Sequence, residues 1–379
     1  MTRSRPAPGS RRARPPAVRR PAPRRAPTAR AAPARRPRTR RSRRPRGTRR
    51  PRPPASAPDL PNELCVTGSL CKMGRVKVVV SGGTGVLGRS AVGALLDAAH
   101  DVEVIARSEA NLAAIERLGA RPVQADLFDT DALVRVYEGA DAVVNLASAI
   151  PVGYATIWPN AWRQNDQLRT KAVANVATAA RTAGVRRVVQ ESASFVYADG
   201  GDRWITERDP IDITPATEPI AVGESHVQDY AGGFRAGVLL RFGSVVGDDA
   251  QTRFWLRAAA NGRPVGIGRP DQWSHLIHTD DVGSAVLAAL HAPSGVYNVG
   301  AAPVLRSDLV EGFAKAAGAD EGSFMGPVLR RLAGARVEPM TRSLRISSDH
   351  FSAQTGWQPS RPAFDASWLD VALGVEPVR

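Results

Sequence analysis

Gly82, Gly85 and Gly88, three residues apart within Ser81-Gly82-Gly83-Thr84-Gly85-Val86-Leu87-Gly88, make the segment of this chain best suited to holding a ligand. Gly82 permits a tight turn, Gly85 lets the backbone approach a pyrophosphate, and Gly88 allows a helix to pack closely on a strand. A helix starting here adds free N–H groups and the positive end of its dipole, so Thr84, Val86 and Leu87 join the glycines as expected contacts of a dinucleotide. Val104-Ile105-Ala106-Arg107-Ser108 bears on which dinucleotide. An acid at this point would hold a ribose 2′-hydroxyl, whereas Arg107 suits a 2′-phosphate, so NADP is favoured over NAD; the plainer reading is a solvated loop residue. Arg89 is a second candidate phosphate contact. No His-x-x-x-His or His-Glu-x-x-His spacing occurs, so no metal site is expected, and His275 and His278 are expected to point to opposite faces.

The elements that must position these residues are legible as alternating periods. Residues 76–80 are a Val-rich buried-strand run, and 86–99 follow as a helix with Val86, Leu87, Val92, Leu95 and Leu96 on one side. Strands at 102–106, 121–125, 142–146, 187–190 and 237–242 alternate with helices at 111–118, 130–137, 162–183 and 225–230. Strand, helix, strand in units of about 30 residues means an α/β fold, a doubly wound parallel sheet with helices on both faces.

Charge divides the chain in two. Its net +16 suggests a nucleic-acid binder, but residues 1–72 hold 21 Arg and one Lys against only Asp59 and Glu63, with half of the 30 Pro and both Cys. All 21 aromatic residues lie beyond. Residues 1–72 therefore have nothing to bury and are expected to be disordered. Met73, just before the first strand, is a candidate for the true start, with the upstream segment an artefact of GC-rich sequence; an accessory tail or a nucleic-acid arm are the alternatives. Residues 73–245 are expected to form the dinucleotide-binding domain and 246–379 a smaller substrate lobe interleaved with it. Trp255, Trp273, Phe313 and Phe324 should build that lobe. No apolar run is long enough to span a membrane, no secretory signal is present and no Cys follows Cys71, so a cytoplasmic protein is expected.

From about 74 to 370 the sequence resembles the extended short-chain dehydrogenase/reductase family of the NAD-dependent epimerase/dehydratase type. The resemblance rests on the glycine loop, on Asp126-Leu127, Asn145-Leu146-Ala147-Ser148 and Asn165, on Leu240-Arg241-Phe242-Gly243, and on the stretches 274–282 and 295–300. It implies a Rossmann-type sheet with a smaller C-terminal α/β lobe. It also implies that Asp126 and Leu127 contact adenine, that Leu146, Ala147 and Ser148 lie along the cofactor, and that Asn165 and Gly243 belong to the same site.

The resemblance fails where the chemistry should be. Family members use a Tyr acid, a Lys four residues later and a Ser or Thr; alignment on Ser225 puts Val222 and His226 at the first two positions, and the separate segment 190–197 puts Ala193 at the third. Ser192 and Ser194, displaced by one, His226 and Glu224 are the replacement candidates, with His226 a general acid near neutral pH or simply a surface histidine. Glu191 and the loop residue Tyr154 are further candidates. An NAD(P)-dependent oxidoreductase or epimerase/dehydratase is expected, acting on a small carbonyl, hydroxyl or nucleotide-sugar substrate through a non-standard site. A homodimer is compatible with it. A cofactor-binding regulator without turnover, and a nucleic-acid-associated protein acting through the tail, are the alternatives.

Overall fold

The computed structural model describes residues 74–326, 331 and 334–370. The expectation of disorder for 1–72 lies outside the described residues. The chain alternates β1 (Lys77–Ser81), α1 (Val86–Asp97), β2 (Asp101–Ala106), α2 (Glu109–Arg117), β3 (Arg121–Gln124), α3 (Thr130–Tyr137) and β4 (Ala142–Asn145). Helix α4 (Arg163–Gln167) continues through a wide π-type turn, Leu168–Ala172, into α5 (Val173–Thr182). Then come β5 (Arg187–Ala193), α6 (Glu218–Tyr230), β6 (Ala236–Phe242), β7 (Ser244–Val246), α7 (Ala250–Ala260), β8 (Trp273–Ser274), β9 (Leu276–His278), α8 (Thr279–Ala289) and β10 (Gly295–Val299). Strand β11 (Val304–Leu305), α9 (Arg306–Ala316) and α10 (Asp349–Thr355) follow.

Seven strands pair in parallel in the order β10-β6-β5-β4-β1-β2-β3. Val78, Val79 and Val80 are fully buried because helices cover both faces of β1, which is why this strand reads as a continuous apolar run and not an alternating one. On one face α1 and α8 pack on Val78 and Val80; on the other α3 and α5 enclose Val79 and Val143. Each such Val is worth about 1.5–3 kcal/mol relative to exposure. Strand order reverses between β1 and β4, and ligands of such sheets bind at that crevice.

A smaller group of residues, Val246, Leu256, Leu276, Phe313, Trp368 and Leu369, forms a separate apolar cluster with Trp255 against it. The two-stranded pairs β7-β9 and β11-β8 are separate from the seven-stranded sheet. The buried Arg342 guanidinium ties the C-terminal stretch to the end of β5, donating to the Tyr197 carbonyl at 2.8 Å and pairing with Asp212 and Glu338.

Candidate active site

The turn from β1 into α1 is glycine-dependent at two points. Gly82 has φ +77°, and a Cβ there would lie 2.7 Å from the backbone of Leu146 and Ala147. Only glycine fits between β1 and the segment after β4. The Gly82 carbonyl accepts from the Gly85 N–H at 3.0 Å. A Cβ at Gly88 would collide with that carbonyl and with Gly83, so Gly88 seats the helix on its own loop, where close packing on the strand was expected. Gly85 is different. Its φ is ordinary and only the Gly82 oxygen, at 3.3 Å, lies near a would-be Cβ.

Side-chain oxygens of Ser108, Asp129 and Asp249 cap α2, α3 and α7, but no side chain caps α1. The first N–H groups of α1 are left for a ligand. A cavity of about 730 Å³ opens there, lined by Gly82, Thr84, Gly85, Val86 and Leu87, by Arg107, Asp126 and Leu127, by Leu146, Ala147 and Ser148, and by Asn165 and Gly243. Gly88, behind the loop, does not line it. Asn165 clamps the cavity rim, its Oδ1 accepting from the Ala149 N–H at 3.1 Å. Asn145 joins β4 to β5 through Gln190 at 2.8 Å. The glycine cradle, the uncapped helix and the long cavity fit a nicotinamide dinucleotide.

Helix α6 places its residues differently from the alignment on Ser225. It begins at Glu218, with Pro219 in its first turn, seven residues before the expected start. Thr217 and Ile220 therefore face the cavity, Glu224 is buried one turn further on, and Val222 and His226 do not line it. Glu224 is fully engaged: Arg241 donates to it twice, at 2.8 and 2.6 Å, and the Ser192 hydroxyl once, at 2.6 Å. Of Ser192, Ser194, Glu224 and His226, only Ser192 lines the cavity. Glu191 also lines it, paired with Arg169 at 2.7 Å, and burial pushes its carboxyl up despite that cation.

None of the five tyrosines lines the cavity. Tyr137 is core, Tyr154 packs edge-on against Phe254, and the hydroxyls of Tyr197, Tyr230 and Tyr297 donate to Asn298, Val185 and Pro293. The described lysines, Lys77, Lys171 and Lys315, do not line it either.

His275, between β8 and β9, lines the cavity with neither ring nitrogen hydrogen-bonded. His278 instead accepts from the Asp280 N–H and starts α8. Burial holds His275 neutral, its pKa lowered from 6.5 to about 3. In that interval the unfolded chain binds the proton and the folded chain does not, so stability falls as pH drops below about 6.5, by up to about 1.4 kcal/mol per unit. Between pH 6.5 and 5, above most carboxylate titrations, urea unfolding of His275→Phe should show a flatter stability profile than the unsubstituted protein.

The model of the NAD-dependent epimerase/dehydratase family matches residues 78–300, more than half of the chain. The 3-diazoavenalumate denitrifying reductase of a Streptomyces species is 28% identical over 316 residues, covering 79% of this chain and all of the relative. A 4-hydroxy-2-methyl-3-oxo-4-farnesyl-3,4-dihydroquinoline-1-oxide ketoreductase of Stigmatella aurantiaca is 31% identical over 125 residues, covering 33% of this chain and 36% of the relative. Among solved structures, MoeE5 in complex with UDP-glucose and NAD superposes with TM-score 0.63 at 22% identity, covering 78% of this chain and 97% of the other. The UDP-Glc/GlcNAc 4-epimerase of Campylobacter jejuni gives TM-score 0.62 at 23% identity, with 78% and 96% covered. The glycine cradle, the strand order and this match across β1 to β10 agree: the chain belongs to the NAD-dependent epimerase/dehydratase family.

Proposed function

We propose that the protein is an NADP-preferring reductase whose substrate takes a hydride without needing a proton from a tyrosine, a reaction of the kind named for the diazo-compound reductase above. The observation that carries this reading is the cavity wall formed by β5 and α6. It presents Ala193, Ile220 and a Ser192 already committed to Glu224, with no phenol and no described lysine.

When bound in the cradle, a nicotinamide dinucleotide would supply a hydride. Reducing a ketone would also require a proton on oxygen, which Ile220 and Ala193 cannot give. A diazo-substituted aromatic carbon makes no such demand: it gains the hydride, its C–N bond breaks and dinitrogen leaves with the bonding pair. The protein's share is then to hold the substrate flat against an apolar wall and keep water out.

Arg107 supports the NADP preference, being exposed on the cavity rim with no ion pair among the described residues. Arg107→Ala should weaken NADPH about ten- to a hundredfold, the range of a charge-assisted hydrogen bond, and leave NADH nearly unchanged in a fluorescence titration. Equal losses for both would remove the preference.

The functional test is anaerobic incubation with C4-deuterated NADPH and 3-diazo-4-hydroxybenzoate as probe. Deuterium on the ring carbon that lost nitrogen, formed faster than with heat-inactivated protein, supports the reading. Tight cofactor binding with no deuterium transfer to this probe or to a ketone panel would instead favour a binding protein without turnover, which the absence of a tyrosine and a described lysine from the cavity wall also fits.

A further inference from the structure

We infer that Arg306 forms a carboxylate-binding subsite, so that the cavity takes an apolar monocarboxylate and not a nucleoside diphosphate; this deepens the reductase reading and rests on it. Four arginines are buried in the described chain: Arg169, Arg241, Arg306 and Arg342. Three have a carboxylate against them, Glu191 for Arg169, Glu224 for Arg241, and Asp212 with Glu338 for Arg342. Arg306 has no carboxylate within ion-pair distance among the described residues; Asp199 and Asp271 act on it only from further away. Its partners are neutral: the Gln272 amide oxygen at 2.6 Å, the Arg342 carbonyl at 2.8 Å and the Ser274 hydroxyl at 3.4 Å.

A guanidinium has five N–H donors, and these bonds use three. Burial draws its pKa down to about 10, which still leaves it charged at neutral pH. A buried cation without a direct counter-ion is destabilising unless something else supplies the charge. Arg306 lines the cavity, so a ligand can.

The side chain is also held in place. Gln272 is itself fixed by the Arg269 N–H at 2.7 Å, and Gly268 leaves the space in which the guanidinium lies, since a Cβ there would collide with it. Trp255, Val265, Ile267, Leu309, Val310 and Phe313 line the same cavity and would cover an apolar body. The charge balance selects the anion. Of the other arginines on the wall, Arg169 and Arg336 are spent on Glu191 and Asp166, and Arg107 follows β2 at the cradle. One buried cation without a paired carboxylate matches one carboxylate, whereas a diphosphate brings at least two negative charges.

The test is calorimetric titration of the full chain saturated with NADP, using trans-cinnamate, cinnamamide and UDP-glucose as probes. Cinnamate should bind about ten- to a hundredfold more tightly than its neutral amide and more tightly than UDP-glucose. Arg306→Gln should erase the preference of acid over amide and Arg306→Lys should keep part of it, both with unchanged NADPH affinity. If Arg306→Gln does not fold, the Lys variant and the three probes on the unsubstituted protein decide. Equal binding of acid and amide, tighter binding of UDP-glucose, or a preference that survives Arg306→Gln overturns the subsite. Failure to bind any nicotinamide cofactor overturns the reductase reading instead, and an acid preference without hydride transfer leaves the subsite standing.

Discussion

Glu224→Ala is expected to lower stability by about 3–5 kcal/mol, because it strands the buried Arg241 guanidinium without its only carboxylate partner among the described residues. Urea unfolding measures this directly. A carboxylate acting chemically on substrate would behave in the opposite way, losing turnover while the unfolding midpoint stayed put. The double replacement Glu224→Leu with Arg241→Met should recover most of the loss, since an apolar pair of similar volume avoids burying either charge. Ser192→Ala removes one charge-assisted hydrogen bond to the same carboxylate and should cost less, about 1.5–3 kcal/mol.

Gly85→Val and Gly88→Val should separate cofactor binding from folding. A side chain at Gly85 has only the Gly82 oxygen near its Cβ and otherwise enters the cavity, so NADPH binding should disappear while the melting curve stays close to that of the unsubstituted protein. At Gly88 the Cβ would strike Gly82 and Gly83 and push α1 off its loop. Overpacking of that kind costs about 1–3 kcal/mol or more, so this variant should melt early as well as lose the cofactor. A Gly85→Val protein that binds NADPH normally would mean the pyrophosphate does not lie against this turn.

The cradle could be found from sequence because everything in it is local: strand, glycine turn and helix occupy residues 77–97, and each follows from spacing that one short window contains. The helix bearing the expected acid and base could not be placed so well. The alternation of periods puts its start near Ser225, but Pro219 is a favoured first-turn residue, and Ile220, Glu224 and Val227 already have the spacing of one helix face. Starting there turns His226 away from the cavity. Arg241 and Glu224 were both visible as residues, yet their pairing depends on how α6 lies across β6, which no local window records. Arg306 gave still less warning, since an Arg at the first turn of a helix is ordinary until its burial and its neutral neighbours are known.

The Arg342 junction has a consequence for the order of folding. It joins residues separated by 145 positions, and β10 reaches β6 only after the 52 residues between them have been made. Closing such long loops is entropically slow, while β1, α1 and β2 are neighbours that can assemble early. The glycine turn between β1 and α1 should therefore form before the wall that encloses the substrate, and the cofactor site is complete only when β4, the stretch around Gly243 and α8 have joined it.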